Sequence, residues 1–244
     1  FNEINFLTDP ILSDRCSPVQ FAGPERYTHA PLNLNELPKI DYVVISHNHY
    51  DHLDINTVKF LGNKPKWIVP LGLKYWFNNI GIENVVELDW WEDITFGDLV
   101  VTCTPAQHFS GRGLFDRNAT LWASWAIQNK SFNIWFGGDT GYSKQFKDIG
   151  DKLGPFDLAL IPIGAYNPRW FMAPMHVDPY QAVLIHNDVK SKKSIGIHWG
   201  TFILTDEPIE EPPKLLKQII LDKNMDVDSF ITLQHGQTLT IKEK

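Results

Sequence analysis

Between residues 46 and 54 the chain reads Ser-His-Asn-His-Tyr-Asp-His-Leu-Asp, which puts His47, His49, Asp51 and His52 within six positions. A turn that had only to be soluble needs no such crowding of imidazoles around a carboxylate. A metal ion accounts for it, because each ring nitrogen and each carboxylate oxygen offers the ion an electron pair. In extended chain His47 and His49 fall on one side and can close on one ion, while Asp51 and His52, where the chain turns toward a helix, can reach a second. Imidazole with one carboxylate and no local thiolate suits zinc better than magnesium or calcium, which prefer sites made mainly of oxygen. One motif cannot fill two metal positions, so other parts of the chain must supply ligands.

Three further strand ends offer them. The motif is entered from Tyr42-Val43-Val44-Ile45, an apolar run that reads as a short buried strand, and open α/β sheets keep their ligands at the carboxyl ends of strands. His108 follows the apolar run 100–104, Asp139 follows Trp135-Phe136, and His198 follows the run 194–197. Together these make five histidines and two aspartates, enough for two ions that share one carboxylate. Taken singly, His108 and His198 read as ordinary polar residues at strand ends; taken with the rest, they favour a metal centre.

The elements that must position these residues follow from periodicity. Residues 8–40, rich in Pro, Ser, Asn and Gly, read as a long ordered loop near the site, anchored by Phe21, Tyr27, Leu32, Leu34 and Leu37. Helix 55–61 stops at Gly62, strand 66–70 and helix 73–79 follow, and 85–88 is again a strand. Residues 94–104 read as two strands turning at Gly97-Asp98, and 121–127 with 132–136 as a hairpin. Then come helix 143–152, strand 157–161, helix 178–188 with Asp178 as cap and Pro179 in its first turn, strand 194–197 and helix 212–223. A last hairpin is expected over 230–233 and 238–241 about His235-Gly236. Residues 4–7 read as a strand whose hairpin partner lies upstream, which suggests a longer natural protein. The pattern as a whole predicts an α/β fold in which two mixed sheets lie face to face with helices outside, one domain over 1–244.

Composition narrows the partners. A formal charge of -7 over 244 residues opposes phosphate-backbone binding, so a nucleic-acid surface is excluded as a general function. No apolar run approaches the ~20 residues that cross a bilayer, which leaves a soluble or peripherally attached chain. Aromatic residues make up 13%, more than a core needs, so some can line an apolar groove or meet a lipid interface. Cys16 and Cys103 form no framework. The sequence does not set the oligomeric state; a homodimer is compatible with it.

The spacing His-x-His-x-Asp-His, followed by His108, Asp139 and His198, resembles the metallo-β-lactamase superfamily. That resemblance implies a four-layer αββα sandwich with two zinc ions per chain: His47, His49 and His108 at the first, Asp51, His52 and His198 at the second, Asp139 bridging. Leu53-Asp54 replaces the Gly-Gly of the glyoxalase type, and His49 stands where the diiron flavoproteins have Glu, which argues against redox iron. Beyond the ligands, Phe6-Leu7-Thr8-Asp9-Pro10-Ile11, Thr104-Pro105-Ala106-Gln107-His108, Phe136-Gly137-Gly138-Asp139-Thr140-Gly141-Tyr142, Pro168-Arg169-Trp170-Phe171-Met172, His176-Val177-Asp178-Pro179 and Ile197-His198-Trp199-Gly200-Thr201-Phe202 are similar to the N-acylphosphatidylethanolamine-hydrolysing phospholipase D family.

The family implies a phospholipid substrate, cleaved to phosphatidic acid and an N-acylethanolamine, with Asp51 and Asp139 orienting the attacking water. His176, in an irregular segment before a capped helix, is a candidate to hydrogen-bond the phosphate or protonate the leaving alkoxide; a surface histidine is the plain alternative. Trp170-Phe171-Met172 could form an apolar rim for acyl chains, or plug a loop. Arg112, Arg117 and Arg169 are candidates for phosphate, though lone arginines are usually solvated; His29, His186 and His235 read as surface or turn residues. Two rivals remain open: a hydrolase of another ester or lactone on the same fold, and a binding module without catalysis.

Overall fold

A computed structural model describes residues 4–241 and resolves the apolar runs into two sheets. The first holds β1 (Phe6–Thr8), β2 (Tyr42–Val44), β3 (Lys66–Pro70) and β4 (Val85–Leu88), side by side and parallel. The second has seven strands in the order β11 (Phe230–Thr232), β10 (Ser194–Ile197), β9 (Leu158–Pro162), β8 (Asn133–Phe136), β7 (Ser124–Gln128), β6 (Leu99–Thr104) and β5 (Asp93–Phe96). It is mixed: antiparallel from β5 to β8 and parallel from β8 to β11.

Strands covered on both faces must be apolar at successive positions, and these are. Val43, Ile45, Trp67 and Val69 face outward onto Val58 and Leu61 of α1 (Ile55–Leu61) and Phe77 of α2 (Lys74–Asn79). Their neighbours Val44 and Ile68 face inward onto Val101, Cys103, Trp125 and Ile127 of the second sheet. On the far side of that sheet Trp135, Ala159 and Ile161 pack against Phe146 of α3 (Gln145–Lys152), Val183 of α5 (Pro179–Asp188) and Leu216 of α6 (Glu211–Asp222). The layers therefore run helix, sheet, sheet, helix, as the αββα expectation requires; of the two sheets expected to be mixed, the second is, and the first is parallel throughout its described strands.

Two local expectations change. The closing hairpin is absent: Phe230–Thr232 forms a strand, but it follows α6 as a crossover and pairs in parallel with β10, while residues 238–241 join neither sheet. The turn between them closes locally, Gln237 N donating to Gln234 O at 2.8 Å, and Gly236 sits against Pro31 of the long loop. A short helix, α4 (Arg169–Met172), appears in the segment expected to be irregular. The hairpin partner expected upstream of residue 4 lies outside the described residues.

Asp54 ties the histidine-rich turn 46–54 to its surroundings. Its carboxylate accepts from Asn56 N at 3.1 Å, capping α1, and from Thr57 Oγ1 at 2.7 Å. It also accepts from Ser13 N at 3.0 Å and Ser13 Oγ at 2.8 Å, which holds the loop after β1 against the turn. Removing a buried acceptor orphans each of these donors, so Asp54→Ala is expected to cost about 3 kcal/mol of folding stability. Urea denaturation measures it; a loss under about 1 kcal/mol would show that water replaces the carboxylate.

Candidate metal centre

Every residue of the cluster leaves the carboxyl end of a strand. The turn 46–54 follows β2, His108 follows β6, Asp139 follows β8 and His198 follows β10. The loops bring their ligand atoms into two adjoining groups, His47, His49 and His108, and Asp51, His52, Asp139 and His198, each within 4.8 Å. Close backbone approach makes the gathering possible. Gly138, at φ +58, lies where a Cβ would stand 2.5 Å from Ser46 Cβ, and a Cβ on Gly164 would meet the His198 carbonyl at 2.2 Å. His198 itself takes a left-handed φ of 58, a strained conformation that recurs at functional sites.

Proton placement shows why the first group suits a cation. His108 Nδ1 donates to the Met175 carbonyl at 2.9 Å, which leaves Nε2 with a bare lone pair. Ser46 Oγ donates to Asp9 Oδ2 and so accepts from His47 Nδ1 at 2.9 Å, which again leaves Nε2 bare. Both Nε2 atoms point at His49 Nδ1, from 2.8 Å and 3.2 Å. That nitrogen has at most one hydrogen to offer, so at least one buried lone pair faces another; a metal ion satisfies all three at once.

The second group has the same difficulty with more charge. His52 Nε2 lies 3.1 Å from Asp139 Oδ2 and 3.4 Å from Asp51 Oδ2, and His198 Nε2 lies 3.2 Å from Asp139 Oδ1 and 3.3 Å from Asp51 Oδ2. His52 Nε2 and Asp139 Oδ1 are buried without a hydrogen bond of proper geometry. Burial works to raise both carboxyls and to lower both rings, yet the opposite charges prevail: His52 and His198 hold Asp51 and Asp139 well below the usual carboxylate range, and Asp139 and Asp51 raise His52 and His198. Protons at these rings occupy the electrostatic place of a cation. The donor set, imidazole and carboxylate with no thiolate, fits zinc.

Sequence reasoning missed Asp9, at the end of β1. Its Oδ2 accepts from His52 Nδ1 at 2.6 Å and from Ser46 Oγ, and its Oδ1 accepts from Ser46 N at 2.7 Å. It therefore fixes the tautomers of His52 and, through Ser46, of His47 from behind, as carboxylates behind metal-bound histidines do. The signal was present: Leu7-Thr8-Asp9-Pro10 is an apolar strand end followed by a carboxylate, like the other ligand positions.

The remaining candidates divide. His176 joins the cluster, its Nδ1 buried without a partner 3.9 Å from Asp139 Oδ2 and its ring 5.0 Å edge-on from that of His108. Arg169 is committed elsewhere, to the His176 carbonyl at 2.8 Å, Gln181 Oε1 at 2.7 Å and Asp178 at 3.3 Å. Arg117 lies over the Phe109 ring, and Arg112 turns onto backbone carbonyls. His186 is not a surface residue but buried, bonded to Ser194 Oγ at 2.7 Å; His29 and His235 are exposed. Trp170 and Phe171 project from α4, 84% and 55% exposed, and the loop tip adds Leu114 and Phe115, 91% and 99% exposed, which the sequence did not single out.

These fields set a pH dependence. Burial pushes His49 and His108 down to about 4 and His176 to about 3, and burial with the His52 charge holds His47 well below 6.5. For these rings the unfolded chain gains protons that the fold refuses, so stability falls as pH drops below 6.5. His52 and His198 act in reverse: their stabilisation is complete below 6.5 and lost as pH rises through their raised folded values. Metal-stripped protein is therefore expected to melt highest near pH 6.5. Metal loading should abolish the alkaline decline, because a cation takes the place of the two protons. Thermal unfolding with and without chelator checks this; an equal alkaline decline in both states would contradict it.

Residues 4–199 match the model of the Beta-lactamase superfamily domain. The chain is 46% identical to N-acyl-phosphatidylethanolamine-hydrolyzing phospholipase D 1 of Caenorhabditis elegans, over 96% of this chain and 70% of the relative. It is 39% identical to the mitochondrial N-acyl-phosphatidylethanolamine-hydrolyzing phospholipase D of Saccharomyces cerevisiae, over 90% of this chain and 48% of that protein, so it spans only part of each. Among solved structures, the metallo hydrolase Igni18 of Ignicoccus hospitalis shares the fold, with a TM-score of 0.74, 21% identity and coverage of 100% of this chain and 93% of the other. The chain belongs to the β-lactamase superfamily and, within it, to the family of the N-acyl-phosphatidylethanolamine-hydrolyzing phospholipases D.

Proposed function

We propose that this chain carries the active site of a zinc-dependent phosphodiesterase that hydrolyses N-acylphosphatidylethanolamine to phosphatidic acid and an N-acylethanolamine. The observation that carries the reading is the pair of adjoining groups, His47, His49 and His108 beside Asp51, His52, Asp139 and His198, in which electron pairs face one another in a buried space. His47, His49 and His108 would hold one zinc ion, and Asp51, His52, Asp139 and His198 a second. Bound there, the ions supply Lewis acidity toward a phosphate oxygen and lower the pKa of a water.

The chain's own residues do the rest. Asp51 and Asp139, both held ionised, accept hydrogen bonds from the attacking water and aim its oxygen at phosphorus. The new oxygen–phosphorus bond forms as the bond to the ethanolamine oxygen breaks, and the water's proton ends on the departing alkoxide. His176 is neutral at physiological pH, because burial lowers its pKa to about 3. A neutral ring favours the first of its two candidate roles, donating a hydrogen bond to a phosphate oxygen, over delivering a proton as imidazolium.

Lipid access has support in the surface. A cavity of about 260 Å³ opens beside Asp51, His52 and His198, walled by Trp199, Phe202, Ile203 and Leu204. Trp170, Phe171, Leu114 and Phe115 lie on segments that adjoin the cluster and would meet the apolar edge of a bilayer, a peripheral contact. Among the described residues no helix is long and apolar enough to cross a membrane.

The test is hydrolysis of N-acylphosphatidylethanolamine in vesicles, with products identified by mass spectrometry. Phosphatidic acid and N-acylethanolamine should form, a chelator should stop the reaction and zinc should restore it. Cleavage of a lactone but not of the phosphodiester would favour the rival ester hydrolase. His176→Ala is expected to lower kcat about 100-fold or more with zinc content unchanged; full turnover would remove His176 from the mechanism.

A further inference from the structure

His108 opens a loop that runs to Thr120 before β7, and the loop is pinned to the metal-binding turn at one point. Arg112 Nη1 donates to the carbonyls of Asn48 at 2.7 Å and Leu53 at 2.9 Å, and lies 3.5 Å from that of His49. The guanidinium lies 4.0 Å above the centre of the Tyr50 ring and 5.3 Å from that of Trp76. Tyr50 Oη donates in return to the Arg112 carbonyl at 2.8 Å, and Gly111 N donates to Asn48 Oδ1 at 2.7 Å. The loop's own bend is fixed by Asp116, whose carboxylate accepts from Arg112 N at 2.9 Å and Gly113 N at 2.7 Å.

This is an unusual use of a cation. Arg112 forms no ion pair within 4 Å among the described residues; its hydrogen-bond partners are backbone oxygens, and a flat, weakly hydrated guanidinium can bind these edge-on while stacking on an aromatic face. Those oxygens belong to the stretch 48–53, which carries His49, Asp51 and His52. The loop it comes from begins at His108. His49 Nδ1 and His108 Nε2 therefore approach from opposite sides of one seam, 3.2 Å apart, and the guanidinium closes that seam.

We infer that Arg112 is a positioning residue for the metal centre: by binding the Asn48 and Leu53 carbonyls while stacked on Tyr50, it holds the His49–His52 turn in register with His108. Without it, carbonyl oxygens that converge on one cation face one another, and the seam widens. The first metal group bears most of the effect, since His47, His49 and His108 all lie on the turn 46–54 and the loop from His108 that Arg112 joins. The second group also draws on Asp139 and His198, which come from other strands. The inference rests on reading the first group as a metal site and is independent of which lipid is cleaved.

Cobalt is the probe. In purified protein, Arg112→Met should weaken Co2+ at the histidine-rich site by about 10–100-fold in chelator competition, as losses behind metal ligands do, and alter the visible spectrum of that site while the second ion holds. Arg112→Lys keeps the charge without the planar fork and should recover part of the loss. Tyr50→Phe keeps the stacked ring, removes one bond and should show a smaller change in the same direction. Parent-like affinity and spectrum in Arg112→Met would overturn the inference; if that variant does not fold, parent-like behaviour of both Arg112→Lys and Tyr50→Phe would overturn it. A parent protein that binds no cobalt would instead overturn the metal reading beneath it.

Discussion

Buried electron pairs pointing at one another are the constraint that organises this molecule. Five imidazoles and two carboxylates, converging from four loops into a space with little water, repel unless positive charge stands among them. In solvent each would have hydrated separately. The two sheets prevent that by placing β2, β6, β8 and β10 so that all four release their chains toward the same end of the sandwich. The energy of folding, gathered in three apolar layers, is what holds these mutually hostile groups together.

The backs of the ligands matter as much as their faces. His52 leans on Asp9, His47 on Ser46 and His108 on the Met175 carbonyl, so in each case one ring nitrogen is spent on the scaffold and the other is freed for the centre. A ring that can still rotate binds metal weakly, because ordering it costs side-chain entropy at the moment of binding. Here folding has already ordered the rings. The supporting groups come from β1, from the turn itself and from the residue before His176, which makes the segment around α4 part of the metal site's foundation.

Much of this was legible in the sequence, for physical reasons that differ by element. Strands β2, β3 and β9 announce themselves because both their faces are covered and their runs are apolar, Lys66 at the start of β3 excepted. His108, Asp139 and His198 were found because each is a polar group within four residues of the end of a largely apolar strand. Asp9 had that same form and was passed over, since a lone aspartate before a proline reads equally well as a turn. Arg112 stood out in the sequence only as a candidate for phosphate: backbone carbonyls leave no mark in a list of side chains, so nothing in the sequence tells that this cation is aimed at them. The closing hairpin failed because a glycine turn after an apolar run marks a reversal but not that the returning segment pairs. Phe230–Thr232 pairs in parallel with β10 and stands at the edge of the sheet, yet the residues after the turn do not return along that edge.

The distance along the chain between the partners of the second group has its own consequence for assembly. Asp51 and His198 touch across 147 residues, whereas His47, His49, Asp51 and His52 emerge from the ribosome almost together. A nascent chain therefore displays a local cluster able to catch an ion loosely long before β10 exists to complete the cage. Closure of the centre is a late event, contingent on the last third of the polypeptide, and a ribosome stalled before β10 would hold out a sticky, half-built metal trap.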